Sequence, residues 1–182
     1  IGGPSEQDRN VIGGCTVMGI SIGGNGNTVI GNYIGVDTTG NTALANFVGI
    51  GISGGAGNII GGGTPNKRNI ISGNTYAGIM AAGTNTIIQG NYIGIGADGV
   101  TNIPNGTGVQ MQGTGKLGGD LPGERNVISN NQTGINLGED ENGNSAVIVK
   151  GSFIGTNITG TLARGNNGAG INIGSAGHRI EN

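Results

Sequence analysis

The 182-residue chain has no tryptophan, one cysteine, one histidine, four prolines and only five phenylalanine and tyrosine residues. Each scarcity closes off a class of protein. A single cysteine, Cys15, cannot form an internal disulfide, so packing must hold the fold together. Eight basic and ten acidic side chains leave a formal charge of −2, too little for the electrostatic footprint of a nucleic-acid binder or of a protein that sits on an anionic membrane. No apolar run approaches the ~18 residues of a membrane span, and no basic segment followed by an apolar one opens the chain, so membrane insertion is not expected. The first residue is Ile1, as expected of a processed or excised piece. Four prolines and irregularly spaced glycines exclude a collagen triple helix.

What is abundant is Gly (44), Ile (26) and Asn (25), together just over half of the chain. Such usage points to one geometry repeated many times. Regularly spaced Ile and Val argue against disorder, which lacks β-branched residues. The repetition is visible directly. Ile-Gly-Gly-Pro-Ser-Glu-Gln-Asp-Arg-Asn from Ile1 to Asn10 returns in altered form at Ile60 to Asn69 and at Leu117 to Asn126. Gly-Asn-Tyr-Ile-Gly at Gly31 to Gly35 recurs at Gly90 to Gly94, and as Gly-Ser-Phe-Ile-Gly at Gly151 to Gly155. Three super-repeats of about 59 residues follow, spanning approximately 1–59, 60–116 and 117–179 of one domain, 1–182.

Within these units an apolar residue recurs at Ile12, Val29, Ile50, Ile71, Ile88, Val109, Ile128, Val149 and Ile171, about every 20 residues. Its neighbours are mostly small or polar, and three residues on stands a column of amide or small side chains, among them Cys15, Asn32, Asn74, Asn91 and Asn131. The pattern is that of a short strand with one face inward, then a turn. A unit this short cannot fold alone, but stacked copies pair strand on strand and bury the Ile column, which predicts an all-β parallel solenoid. Nine coils at about 4.8 Å would form a rod about 43 Å long. Gly-Ile-x-Ile-type segments starting at Gly19, Gly49, Gly78, Gly108, Gly134 and Gly170 recur about every 30 residues and would instead give six larger coils. The greater regularity of the marker column favours nine. Asn32, Asn74, Asn91 and Asn131, repeating in one corner, are expected to hydrogen-bond along the stack as a structural ladder.

Gly-Asn-Tyr-Ile-Gly-Val-Asp-Thr-Thr-Gly-Asn-Thr-Ala-Leu-Ala-Asn (Gly31 to Asn46), with Gly-Ile-Gly-Ile, Asn-Ile-Ile-Gly-Gly and Arg-Asn-Ile-Ile-Ser-Gly-Asn after it, resembles the right-handed parallel β-helix repeats of large secreted or surface bacterial proteins. The resemblance runs through the entire chain. It implies a right-handed coil and an extracellular or cell-surface location, and it implies no particular reaction.

Candidate chemistry is sparse. Glycosidases need two carboxyl groups facing each other and pectate-type lyases need clustered acids beside a base, yet the ten acids fall in loops and form no column. No catalytic residue is therefore assigned. Glu139, Asp140, Glu141 and Asn142 form the densest acidic segment and are the candidates for a Ca²⁺ site, but their spacing matches no calcium loop, so a solvated loop without a cofactor is expected. Arg9, Arg68 and Arg125 align in the three super-repeats, three coils or about 14 Å apart. Each is expected to tether its own loop through carbonyl oxygens rather than to line a polyanion site. Tyr33, Tyr92 and Phe153 also align, either as an exposed row for sugar rings or, as preferred, as inward packing. His178 occupies the place of Asn58 and reads as a turn residue.

A solenoid needs polar caps, and Ile1 and Ile180 fall at equivalent positions with no cap in sight. The expected function is an extracellular structural rod or fibre segment, its partner either adjoining solenoid coils or a second copy stacked end to end. The competing readings are a carbohydrate-binding or polysaccharide-processing β-helix, and a trimeric phage or host-attachment spike segment.

Overall fold

In the computed structural model, which describes residues 1–181, the chain forms a parallel β-solenoid with three sheets. The first is built from the two-residue strands Val11–Ile12, Tyr33–Ile34, Ile70–Ile71, Tyr92–Ile93, Val127–Ile128 and Phe153–Ile154. The second stacks Met18–Ile22, Val48–Ile52, Ala77–Ala81, the first half of Thr107–Gly118, Thr133–Gly138 and Ile171–Ile173. The third stacks Thr28–Val29, Ile59–Gly61, Thr86–Gln89, the second half of Thr107–Gly118, Ser145–Lys150 and Arg179–Glu181. Every strand pair is parallel, and each coil contributes one strand to each sheet. The chain thus makes about five turns from Val11 to Phe153 and from there lays down a sixth coil, which adds a strand to each sheet.

Nine coils are therefore not what forms. The nine apolar markers fall in turn on sheets one, three and two: Ile12, Val29, Ile50, then Ile71, Ile88, Val109, then Ile128, Val149, Ile171. With three strands to a coil of about 30 residues, a 20-residue step advances two thirds of a turn and samples every second strand. The Gly-Ile-x-Ile-type segments all lie on sheet two, one per coil, with Ile20, Ile50, Ile79, Val109, Ile135 and Ile171 directly above one another. They carry the true period. Six strand layers give a rod of about 29 Å rather than 43 Å.

The inward side chains of all three sheets make one continuous core, in which Ile34, Ile50, Ile60, Ile71, Ile79, Ile88, Ile93, Met111, Leu117, Ile128 and Ile135 are fully buried. Ile79 sits mid-stack between Ile50 and Val109. Ile79→Ala should cost about 2–5 kcal/mol through lost burial and the cavity it leaves. Leu162→Ala, at a side chain exposed on a loop, should stay within about 0.5 kcal/mol. Paired urea titrations check the contrast.

The doubled repeat has a separate cause. In each two-residue strand of sheet one the second residue points inward, leaving Val11, Tyr33, Ile70, Tyr92, Val127 and Phe153 on the outer face. Two kinds of loop cover that apolar face on alternate coils. Odd coils are entered through a 3₁₀ turn, Glu6–Asp8, Pro65–Lys67 or Pro122–Glu124. Even coils leave the sheet through a hairpin-like loop closed by Val36–Ala43, Ile95–Asn102 or Thr156–Ala163 bridges. Val36, Ile70, Tyr92, Ile95, Ile103 and Val127 form a second core beneath these loops. The unit of about 59 residues is thus a pair of coils, one of each kind.

Candidate functional site

The aligned arginines close each 3₁₀ turn and lie across the next coil. Arg9 stacks over Tyr33 at 4.2 Å, Arg68 over Tyr92 at 4.0 Å and Arg125 over Phe153 at 3.9 Å, measured from guanidinium carbon to ring centroid. Arg68 Nε also donates to the Gly90 carbonyl at 3.2 Å, and Arg125 Nε to that of Gly151 at 2.9 Å. A planar guanidinium can satisfy a carbonyl and cover an aromatic face at once, so each pins its loop to the following coil. The equivalent Arg9 Nε is buried without a partner among the described residues. Successive arginines lie two coils apart, about 10 Å rather than 14 Å. The aligned aromatic row is covered by this stacking, so it offers no open face to a sugar.

The four ladder asparagines divide between two corners. On the approach to sheet one, the side-chain oxygen of each asparagine accepts from the residue below it along Asn10, Asn32, Asn69, Asn91 and Asn126, at 2.9–3.3 Å. On the approach to sheet two, a second series runs through Asn46, Asn74, Asn105, Asn131 and Asn166. Asn32 and Asn91 belong to the first and Asn74 and Asn131 to the second. Each amide in the middle of a ladder serves as acceptor to the coil before it and donor to the coil after it. Its remaining proton goes to a backbone carbonyl, as Asn91 Nδ2 does to Ile60 O at 2.9 Å. An amide carries a donor and an acceptor side by side in one plane, which suits both roles. Cys15 starts the second series, its backbone N–H donating to Asn46 Oδ1 at 3.1 Å.

The third corner has the column Asn27, Asn58, Thr86, Gly115, Val147, His178, and the ladder there is broken. Asn27 N–H donates to Asn58 Oδ1 at 2.9 Å, and at the far end Val147 N–H donates to His178 Nδ1 at 3.2 Å. Because a backbone N–H can only donate, the neutral imidazole carries its proton on Nε2, which then donates to Ser175 Oγ at 2.9 Å. That direction leaves the serine hydroxyl unactivated. Burial holds the His178 pKa below its ordinary 6.5. The unfolded chain accordingly takes the proton first: this contribution is complete above about pH 6.5 and is lost as pH falls below it. The last coil should loosen in mild acid while the middle coils persist. His178→Asn, restoring the acceptor found at Asn58, should remove that sensitivity, read by amide exchange of Val147.

Asp37, Asp98 and Asp140 are engaged in their own turns. Asp37 accepts from Thr39, Asp98 from Thr101, and Asp140 from the Asn144 side chain and the Asn142 and Asn144 N–H groups. These hydrogen bonds, chiefly those from Thr39, Thr101 and Asn144 side chains, hold all three carboxyl groups below the ordinary 3.8. Glu139, Asp140, Glu141 and Asn142 lie in the loop between sheets two and three of the fifth coil. Among the described residues no three His, Cys, Asp or Glu side chains converge as a metal site would need.

One surface was not anticipated. The residues just before each sheet-two strand form an outer column, Val17, Phe47, Tyr76, Gly106 and Gln132. Phe47 and Tyr76 stack with ring centroids 5.3 Å apart and planes 12° from parallel, and they remain 47% and 45% exposed. Beside them along the same corner runs a groove of about 670 Å³, lined by the ladder residues Asn74, Asn105 and Asn166 and, outside the ladder, by the amides of Asn102, Asn130, Gln132 and Asn167. None of its lining residues is charged. The sequence signal was present, since Phe47 and Tyr76 both stand two residues before a Gly-Ile-x-Ile-type segment. The 20-residue frame separated them.

Strand topology, register and corner ladders together define the class, a three-sheeted parallel β-solenoid. Comparisons with protein-family models, with curated proteins and with solved structures give no match.

Proposed function

We propose that the chain is a structural rod segment of an extracellular or cell-surface assembly, continued end to end by further solenoid coils, either adjoining ones or, in the purified chain, those of a second copy. The observation that supports this reading is the unbroken stacking of the inward column and of two asparagine ladders from coil to coil, up to strands whose edges stay open. Inward-column residues Ile173 and Ile180 are 51% and 52% exposed, whereas Leu137 and Val149 one coil below are 1% and 3% exposed. At the other face of the stack Ile1 is 56% exposed. Open strand edges bordered by isoleucine are templates for further pairing, by coils that continue the stack or by a second copy, whose head-to-tail contact propagates as a fibre. The extracellular setting rests on the resemblance of the repeats. The coil is taken as right-handed, the sense in which parallel strands of one sheet are almost always joined.

The test is light scattering on the purified chain across a hundredfold range of concentration, with Ile173→Lys/Ile180→Lys beside the parent. Scattering mass that grows with concentration in the parent and not in the double variant supports the reading. A parent that stays monomeric throughout contradicts it.

A further inference from the structure

We propose that the corner between sheets one and two is a binding site for a neutral polysaccharide, with one pyranose ring seated on Tyr76. The column Phe47, Tyr76, Gly106, Gln132 occupies four successive coils. Phe47 and Tyr76 stack along the rod, so one face of Tyr76 is taken by Phe47 and the other looks toward the next coil. There the residue is Gly106, which has no side chain. A Cβ at Gly106 would collide with the Tyr76 carbonyl oxygen, so the gap is built into the backbone. The next side chain in the column is Gln132, two coils or about 10 Å from Tyr76. A ring packs at about 3.5–4 Å from each neighbour, so the slot is one ring high.

The chemistry around the slot selects the ring. A pyranose has a flat C–H face that packs on an aromatic face and a rim of hydroxyl groups that both donate and accept. The adjoining groove supplies amides outside the ladder, at Asn102, Asn130, Gln132 and Asn167, which also do both. Gln132 Oε1 accepts from Asn167 Nδ2 at 3.0 Å, which orients the pair and leaves Gln132 Nε2 and Asn167 Oδ1 without a partner among the described residues. A uronate or sulfated polymer would call for arginine or lysine, and the groove lining has neither. The groove draws residues from four consecutive coils, from Gly73 to Asn167, so its length suits an extended chain rather than a single sugar. This site is independent of the end-to-end contacts.

Affinity electrophoresis tests it, with the 182-residue chain run in native gels containing hydroxyethylcellulose, xylan, galactomannan or, as the anionic control, polygalacturonate. Retardation is expected in at least one neutral polymer and should persist in 0.5 M NaCl, since screening weakens only charge-based binding. Tyr76→Ala should weaken it at least tenfold, and Tyr76→Phe should retain it. Tyr76 is half exposed, so unchanged far-UV circular dichroism is expected for both. Gln132→Ala tests the amide side without touching the aromatic pair and should weaken binding several-fold. Retardation only by polygalacturonate, no retardation in any gel, or Tyr76→Ala binding as the parent does would each overturn the proposal. So would a loss of self-association in Tyr76→Ala, which would make the slot a contact between copies.

Discussion

Asn91→Ala should destabilise the solenoid by about 3–6 kcal/mol, because it strands several buried groups at once and each costs about 1–3 kcal/mol. Asn91 Oδ1 accepts from both the backbone and side-chain nitrogens of Asn69, at 3.3 and 2.9 Å, and Asn91 Nδ2 donates to Ile60 O, Gln89 O and Asn126 Oδ1. Asn32, Asn69, Asn91 and Asn126 have no appreciable exposed surface, so water cannot replace those partners without opening the corner. Asn10 begins the same ladder but is exposed, and its side chain serves only Asn32. Asn10→Ala should cost under about 1 kcal/mol. Urea midpoints of the two variants, compared at unchanged slope, give the difference. Equal shifts would mean that the ladder is not a stabilising element.

Gly94→Ala should be as damaging by a different route. Gly94 has φ +90°, and a Cβ there would collide with the Ser129 carbonyl oxygen and meet Asn131 Oδ1, the acceptor of the second ladder, at 2.5 Å. The left-handed backbone alone costs about 1–3 kcal/mol for a residue with a side chain. The collision adds to it by pushing apart two coils whose spacing their hydrogen bonds set. We expect a loss above about 3 kcal/mol, or no soluble folded protein. Gly143 has φ +75° but open space around it, so Gly143→Ala isolates the backbone effect and should cost about 1 kcal/mol. Thermal melts of the pair measure how much of the first loss comes from coil spacing.

Much of this architecture was legible in the chain because a solenoid repeats its requirements. An inward Ile column, amides at corners and a doubled repeat of about 59 residues are each local patterns, and each marks a physical need that recurs in every coil or every second coil. The coil number was harder to read. Three short strands per coil differ little from one another, so a period of two thirds of a turn is as regular as the turn itself. The same ambiguity merged two asparagine ladders into one column, placing Asn32 beside Asn74 when they serve different corners.

Contacts between coils left a fainter trace. Arg9 and Tyr33 are 24 residues apart, as are Arg68 and Tyr92, yet the offset for Arg125 and Phe153 is 28 because the Glu139 to Asn144 segment is inserted between them. Arginine alignment suggested tethering. The stacking on an aromatic depended on coil geometry that the 20-residue frame had wrong. For the Phe47 and Tyr76 slot, the informative residue is Gly106, and an empty place in a column cannot be seen until the column is known.

The most direct test of the rod account is cryo-electron microscopy of the purified chain at high concentration. Fibres with strands about 4.8 Å apart along the axis and a subunit repeat of about 29 Å, the height of six coils, are the predicted result. Discrete particles at every concentration, or a subunit repeat near 43 Å, would contradict it.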